Sequence, residues 1–291
     1  MNEQNFVNFK RTRDLGAIIS DTFKFLSVEW QPFFGTIIRI SIVPILIAIC
    51  AVVYYGMSSV SFLGDFSQAA NNDDFNLNFS ELFVPILAFV FAYIIAYALV
   101  TVSALSYIKS YISNKGLVNY DDIQATTKEK FWPYVGLFFL IAIMVGFGLL
   151  FCFIPGIYLG VVLSLTICLV IFQNQSVFDA VNNSFGFIKN HWWETFGILI
   201  VIQIIVGIIS FILSLPASMY QGFDMASILQ NQNPEELLNS FTDPIYLLLI
   251  GFSYFANFIL YMVTTVSTVL IYFDIKEQKN PTSDIINEIG A

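Results

Sequence analysis

Long runs without charge alternate along this chain with short segments that hold its charged residues. Four runs carry no charge, 82–108, 131–178, 195–223 and 244–273, and a fifth, 31–64, carries only Arg39. A helix needs about 20 apolar residues to cross a hydrocarbon core of roughly 30 Å, so 131–178 is long enough to cross twice. The pattern predicts six transmembrane helices, at about 33–57, 82–112, 133–154, 156–175, 195–216 and 245–273.

The composition agrees with lipid as the solvent. The chain has 291 residues, of which 57% are hydrophobic and 11% charged, whereas soluble domains carry about 25% charged residues. A transmembrane β-barrel would show alternating segments of about ten residues rather than continuous apolar runs. We therefore expect an all-α, polytopic fold in which 1–291 form one integral membrane domain and 274–291 form a cytoplasmic tail.

The basic residues can all be placed on one side of a membrane. The loops that this leaves on the other side, roughly 58–80 and 216–244, contain no Lys or Arg. Because basic residues near span ends resist translocation, both termini are predicted to lie inside, in a multi-pass protein of a bacterial inner (cytoplasmic) membrane. The inner basic residues are Lys10, Arg11, Arg13, Lys24, Arg39, Lys109, Lys115, Lys128, Lys130, Lys189, Lys276 and Lys279.

The net charge of −9 follows from that asymmetry. The two outer loops hold acids without bases, while acids and bases nearly balance on the inner side. No face carries a basic excess, so nucleic acid is not an expected partner.

A motif recurs before spans one, three and five. An Asp is followed by an amphipathic stretch, an aromatic residue and a Gly, as in Asp21–Gly35, Asp122–Gly136 and Asp179–Gly197. The third copy is four residues longer than the others, about one helical turn. The repeat predicts three membrane hairpins, each preceded by an interfacial helix on the cytoplasmic side.

Two of those interfacial helices have a clear apolar face. Apolar residues follow a spacing of three or four from 15 to 30 and again from 177 to 192, as expected of helices lying in the headgroup plane. Every Trp of the chain stands just before a span, where an amphipathic ring suits the membrane boundary. Candidate lipid contacts are therefore Trp30, Trp132, Trp192 and Trp193.

Spans three and four are joined without a polar loop. Pro155 is expected to end one helix and Gly156 to allow the reversal, at or just below the outer surface. The turn is either a tight loop between antiparallel helices or the lining of a cavity, as in transporters. In the last outer loop, Asn233 followed by Pro234 predicts a short helix near 234–241.

Few residues offer chemistry. Arg39 either extends its side chain to the inner headgroups or contacts a lipid phosphate. Gln203 and Asn257 are amides at mid-membrane that hydrogen-bond between helices or form a polar site. The single His191, and the unclustered Cys50, Cys152 and Cys168, predict no metal site, cofactor or catalytic group.

Several motifs together resemble a known family. They are Ile154–Gly160, Ser176–Ala180, Ser184–Lys189 and Trp192–Gly197, with Asp14-Leu-Gly16, Asp21-Thr-Phe23 and Tyr272-Phe-Asp274 fitting the same pattern. The segments resemble the polytopic membrane domain found ahead of some glycerophosphodiester phosphodiesterases, and related stand-alone bacterial membrane proteins of unknown function. No soluble α/β stretch for the catalytic domain is present, so the resemblance implies architecture rather than that activity.

The first functional hypothesis is a non-catalytic membrane protein. It would be an accessory or scaffold subunit of a membrane complex, such as a secretion or insertion machine, or a lipid-organising factor. Its partners would be membrane lipids and other integral membrane proteins. The alternative is a transporter or lipid-moving protein with a cavity near Pro155 and Gly156, close to Gln203 and Asn257. An intramembrane enzyme is a third class, for which the sequence offers no reactive set.

Overall fold

The structure is a computed structural model that describes residues 7–72, 78–231, 241 and 243–279, with the backbone alone described at 63, 67–72 and 223–231. Within these residues every regular element is a helix. The helices are α1 Leu15–Asn72, α2 Ser80–Ser113, α3 Tyr120–Phe151, α4 Phe153–Ser164, α5 Thr166–Phe172, α6 Val177–Ile188, α7 Trp192–Asn231 and α8 Pro244–Lys279.

Six helical segments of the described chain are long and apolar enough to cross a membrane. This confirms the all-helical class and is consistent with a multi-pass membrane protein. The segments are Leu15–Phe66, Ser80–Ser113, Tyr120–Phe151, Phe153–Phe172, Trp192–Gly222 and Pro244–Lys279.

The chain forms two compact units. The first consists of Met1–Ile40, Ala98–Val206 and Tyr261–Ala291, and the second of Ser41–Tyr97 and Gly207–Leu260. Helices α3 to α6 belong wholly to the first unit, whereas α1, α2, α7 and α8 contribute residues to both.

Edge-to-face aromatic rings fill the core of the first unit. Phe25 lies 5.2 Å from Phe9 and 5.4 Å from Phe33 between ring centroids, and Phe33 lies 5.1 Å from Tyr107. All four side chains are fully buried. Such pairs add about 0.5–1.5 kcal/mol each beyond the burial of their area, and they hold the segment before α1 against α1 and α2.

The second unit has a smaller aromatic core. Tyr97 contacts Tyr93 at 4.6 Å and Phe258 at 4.7 Å between ring centroids. Gly251 of α8 faces Ile49 of α1, where an added Cβ would lie 3.6 Å from the isoleucine Cγ2. Aromatic rings and a close approach at a glycine therefore join described parts of α1, α2 and α8 in this unit.

The reversal between α3 and α4 occurs at Cys152, and not at Pro155 and Gly156 as predicted. Cys152 is the single extended residue between the two helices, with φ −168° and ψ 142°. Pro155 lies in the first turn of α4, where its missing N–H removes no helical hydrogen bond. Gly156 is needed for close packing, because a Cβ there would lie 2.8 Å from the backbone nitrogen of Leu149.

The first two predicted interfacial segments are not separate helices. Residues 15–30 continue without a break into the rest of α1, and 119–131 form the start of α3. The predicted apolar face of 15–30 is only partly buried, because Ile18 and Leu26 are buried while Phe23 and Trp30 are more than 40% exposed. The third segment is a distinct helix, α6, whose N-terminal N–H at Asp179 donates to Ser176 Oγ over 3.2 Å.

Several helices extend beyond their predicted ends. α1 runs to Asn72 into the predicted outer loop, and α8 runs to Lys279 through the first part of the predicted tail. Asp274 of that part is buried. The short helix predicted near 234–241 lies outside the described residues, apart from Phe241.

Candidate functional site

An aromatic corner joins the end of α6 to the start of α7. The His191 N–H donates to the carbonyl of Ile188 over 2.9 Å, which closes a tight turn between the two helices. Trp192 begins α7, and its ring stacks on Tyr158 of α4 with centroids 5.8 Å apart and planes inclined by 20°. Trp192 Nε1–H also donates to the Tyr158 carbonyl over 3.4 Å. The corner is thereby fixed to α4.

An open hollow of about 410 Å³ borders this corner, and we refer to it as the aromatic hollow. Ile154 and Ile157 of α4 form an apolar wall, and Trp193, which is 77% exposed, forms another. Lys189 and Asn190 supply an ammonium group and an amide. The lining residues are Ile154, Ile157, Tyr158, Lys189, Asn190, Trp192 and Trp193. Apolar walls beside one cation suit an acyl chain whose phosphate lies near the lysine.

A second open hollow, the polar hollow, lies within the second unit and measures about 460 Å³. Ser210 Oγ donates to Asn257 Oδ1 over 2.5 Å, and Asn257 Nδ2 donates to the carbonyl of Ser253 over 2.8 Å. Tyr246 donates its hydroxyl to Gln221 Oε1 over 2.9 Å. All lining side chains are uncharged: Tyr93, Ser210, Ser214, Ala217, Ser218, Gln221, Tyr246, Ile250, Ser253, Tyr254 and Asn257.

The first unit also contains a smaller hollow of about 200 Å³ among α2, α3, α4, α5 and α8. Its polar lining is made of hydroxyl groups, including those of Thr101, Tyr134 and Tyr261. The Tyr134 hydroxyl donates to Thr101 Oγ1 over 3.4 Å. The hydroxyls of Ser164, Thr265 and Thr268 donate to backbone carbonyls of their own helices, so this space is better suited to helix packing than to a charged solute.

A charged cluster is buried in the first unit around Arg13, whose side chain is fully buried. Its Nε–H donates to Asp21 Oδ2 over 2.7 Å, and Nη1–H donates to the carbonyl of Phe9 over 2.8 Å. The backbone N–H of Arg13 donates to Asp274 Oδ1 over 2.7 Å. Arg11 Nη2 lies 2.5 Å from the same Asp21 oxygen. The cluster fastens the segment before α1 to α1 and to the end of α8.

Burial and charge act on Arg13 in opposite directions. Desolvation lowers the pKa of its guanidinium, while the hydrogen bond and charge of Asp21 raise that pKa. The net effect lowers the pKa, but a guanidinium stays protonated in proteins, so Arg13 remains a cation that the carboxylates must balance. The cluster is therefore a structural ion pair whose buried guanidinium is hydrogen-bonded to its neighbours. We assign it a structural role and no catalytic one.

The predicted tryptophan contacts are largely open to their surroundings. Trp30 is 56% exposed, Trp132 73% and Trp193 77%, while Trp192 is half-buried by its stack on Tyr158. These exposures leave the rings available to lipid, and contact with lipid stays a prediction. Trp192 and Trp193 are brought together at the aromatic hollow.

The other predicted residues are distributed differently. The exposed Arg39 holds its guanidinium carbon 5.0 Å from the centre of the Tyr120 ring, which is a cation–π contact. Contact of Arg39 with the headgroups or a lipid phosphate stays a prediction. Asn257 lines the polar hollow of the second unit. Gln203 is an exposed residue of α7 in the first unit, so the two amides belong to different units.

No group of three metal-ligating side chains occurs within residues 7–72, 78–231 and 243–279. The single histidine, His191, places Nδ1 3.5 Å from Glu194 Oε2 at the start of α7. His191 and Glu194 are one helical turn apart on the surface of the corner. Together they offer a metal ion two ligands at most.

No local sequence pattern predicts the charged cluster. In the sequence, Asp21 and Asp274 stand out only as parts of motifs, and Arg13 only as an inner basic residue. The available signal was the presence of acids within otherwise apolar helices, since buried charges need partners. The same signal applies to Glu29, which is 4% exposed and accepts a hydrogen bond from the Tyr107 hydroxyl over 2.9 Å.

Comparisons with models of known families, with curated proteins and with solved structures found no match. The resemblance to phosphodiesterase membrane domains therefore stays a prediction.

Proposed function

We propose that this chain is a non-catalytic, lipid-binding membrane protein that organises lipid for, or within, a membrane complex. The supporting observation is the aromatic hollow. Lys189 and Asn190 stand there beside the apolar walls of Ile154, Ile157 and Trp193. An anionic phospholipid would place an acyl chain on the isoleucines and its phosphate beside the Lys189 ammonium.

The proposed location and orientation of the protein follow from the distribution of its basic residues. The protein lies in a bacterial inner membrane with both ends inside, because the inner side then holds every basic residue. Lys189 would meet the anionic lipids of that leaflet, each such contact being worth about 1 kcal/mol. Other integral membrane proteins would dock on its apolar surfaces as partners.

The test is lipid retention by single-residue variants. Protein purified in mild detergent is expected to retain phosphatidylglycerol, measured by native mass spectrometry. Lys189→Ala and Trp193→Ala should each lower the retained lipid several-fold. The matched control is Lys24→Ala, which changes an exposed lysine outside the hollow. Equal losses in the variants and the control would contradict the site, and a protein that always purifies without polypeptide partners would contradict the complex.

The polar hollow favours a second candidate, a transporter or lipid-moving protein. Its wall of hydroxyls and amides around Asn257 could receive a small neutral polar solute. Uptake by proteoliposomes would be measured for a panel of small sugars and polyols. Asn257→Ala should abolish uptake if the hollow is a transport site, and no uptake by the unaltered protein would remove this candidate.

A further inference from the structure

The hairpin of α3 and α4 ends in an apolar tip. Phe151 and Phe153 flank the reversal at Cys152 and are 86% and 73% exposed, and their neighbours Leu150 and Ile154 are 83% and 76% exposed. No charged residue lies between 131 and 178. Such a tip would be costly in water, so its surroundings must be apolar.

The far end of this hairpin is fixed to the C-terminal part of α8. Phe172, the last residue of α5, stacks on Tyr272 with centroids 5.5 Å apart and planes inclined by 19°. Gln173 Nε2 donates to the Tyr272 hydroxyl over 3.0 Å. On α3, the Lys130 ammonium donates to Asn174. Lys130, the eleventh residue of α3, and the end of α5 therefore lie at the level of Tyr272.

The end of α6 lies at that same level. Phe187 stacks on Tyr272 with centroids 5.3 Å apart, and Lys279 Nζ donates to the carbonyl of Gly186 over 2.7 Å. The tight turn at His191 follows directly, and α7 begins at Trp192. The start of α7 is therefore held near the C-terminal end of α8.

The direction of α7 supports this placement. Ile202 lines a small hollow together with Thr22 and Ser267. Trp192 lies ten residues before Ile202 on the same continuous helix, about 15 Å away along its axis. Ile202 lies at the level of Ser267. Following α7 back by this distance places Trp192 near the end of α8 that carries Lys279.

The stack of Trp192 on Tyr158 then limits how far α4 and α5 can extend across the membrane. Tyr158 is held near the end of α8 through Trp192, and Phe172 is held there through Tyr272. Yet the two residues are 14 positions apart, about 21 Å of helix. A segment with both ends at one level does not cross a core of roughly 30 Å. Cys152 lies only six residues, about 9 Å of helix, beyond Tyr158.

We propose that α3, α4 and α5 form a re-entrant arm that lies in the leaflet next to the C-terminal end of α8, with the apolar tip around Cys152 among phospholipid acyl chains. The predicted third and fourth spans then do not cross, and α1, α2, α7 and α8 are the crossing helices. An even number of crossings keeps both ends on one side, as the distribution of Lys and Arg requires.

Cysteine cross-linking in the membrane distinguishes this arm from two crossing helices. In a Cys50→Ala/Cys152→Ala background, the pair Tyr158→Cys and Trp192→Cys is treated with a short bis-thiosulfonate. The control pair is Phe172→Cys and Tyr272→Cys, which both topologies place at the inner boundary. The re-entrant arm predicts cross-links in both pairs. A cross-link in the control pair alone would overturn the proposal.

Native Cys152 provides a second measurement that leaves the tip unaltered. In a Cys50→Ala protein, Cys152 should resist an impermeant maleimide added to either side of sealed vesicles and react after detergent is added; Cys168 is fully buried. A fluorophore placed there should be quenched by phosphatidylcholine with brominated acyl chains. Labelling of Cys152 from either aqueous side, or no quenching by the brominated chains, would overturn contact with acyl chains.

Discussion

The charged cluster of the first unit and the polar hollow of the second accommodate polar groups among apolar helices in opposite ways. Around Arg13, two carboxylates and several carbonyls balance one fully buried cation. Around Asn257, uncharged hydroxyls and amides share short hydrogen bonds beside open space. The charged arrangement is rigid because a missing partner would leave a buried charge. The polar hollow can lose one hydrogen-bond partner at a modest cost in stability. Its groups can therefore exchange a bond within the protein for a bond to a solute.

The largest expected effect is the loss of Arg13. Arg13→Met should lower the free energy of unfolding by about 3–5 kcal/mol, because it removes the buried cation that pairs with Asp21 and offsets the charge of Asp274, although the backbone N–H that donates to Asp274 remains. Titration with a denaturing detergent in mixed micelles would measure it. The control is Arg11→Met, whose side chain is 53% exposed and whose loss should cost about 1 kcal/mol or less. Equal effects of the two variants would contradict the central role of Arg13.

A smaller loss of stability is expected where the Tyr107 hydroxyl donates a hydrogen bond to the buried carboxyl group of Glu29. Tyr107→Phe leaves Glu29 without the hydrogen bond that its Oε2 accepts, at a cost of about 1–3 kcal/mol. The double variant Tyr107→Phe/Glu29→Leu should recover part of that loss, because no buried polar group is then left unpaired. The same mixed-micelle titration would measure four proteins: the unaltered one, both single variants and the double variant. Additive losses in the double variant would show that the two side chains act independently.

The sequence predicted the helical class because charge-free runs must satisfy their backbone internally in lipid. It failed at helix boundaries for a related reason. The predicted spans one and three begin at 33 and 133, directly after or at a proline, yet α1 continues through Pro32 and α3 continues through Pro133. Membrane helices tolerate proline where neighbouring helices satisfy the freed backbone groups, so a proline does not mark a helix end as it does in water.

The sites were less predictable than the helices. Trp192 and Trp193 were identified because aromatic rings favour membrane boundaries, and they do line one hollow. The bond between Arg13 and Asp274 joins residues 261 positions apart, so no local pattern contains it. The stack of Trp192 on Tyr158 likewise depends on tertiary packing, and it conflicts with a prediction that placed the two residues near opposite membrane surfaces.

Removing one hydrogen-bonding side chain from the polar hollow is expected to cost less stability than removing Arg13 from the charged cluster. Asn257→Ala should reduce the free energy of unfolding by about 1 kcal/mol, the usual value of a hydrogen bond between membrane helices. Gln203→Ala, an exposed amide of α7, should change it by less. Unfolding in mixed micelles would compare them directly. A loss at Asn257 as large as that at Arg13 would remove the contrast between the neutral and charged arrangements.

The smallest effect is expected at Asp243, which precedes α8 in the second unit. Burial disfavours its charged form, but backbone N–H groups of Ile245 and Tyr246 donate to its Oδ1 over 2.7 and 3.2 Å. These bonds, with one from Tyr220, hold the pKa of Asp243 below its usual range. Because the folded pKa is the lower one, this stabilisation is complete above the unfolded value of about 3.9 and is lost as the pH falls through the folded value.

Asp243→Asn offers a matched control, because asparagine also caps helices but does not titrate. The unaltered protein should lose slightly more stability than this variant when the pH is lowered below about 4, as measured by the midpoint of thermal unfolding in detergent at a series of pH values. Parallel pH curves for the two proteins would show that Asp243 caps α8 without contributing to the pH dependence of stability.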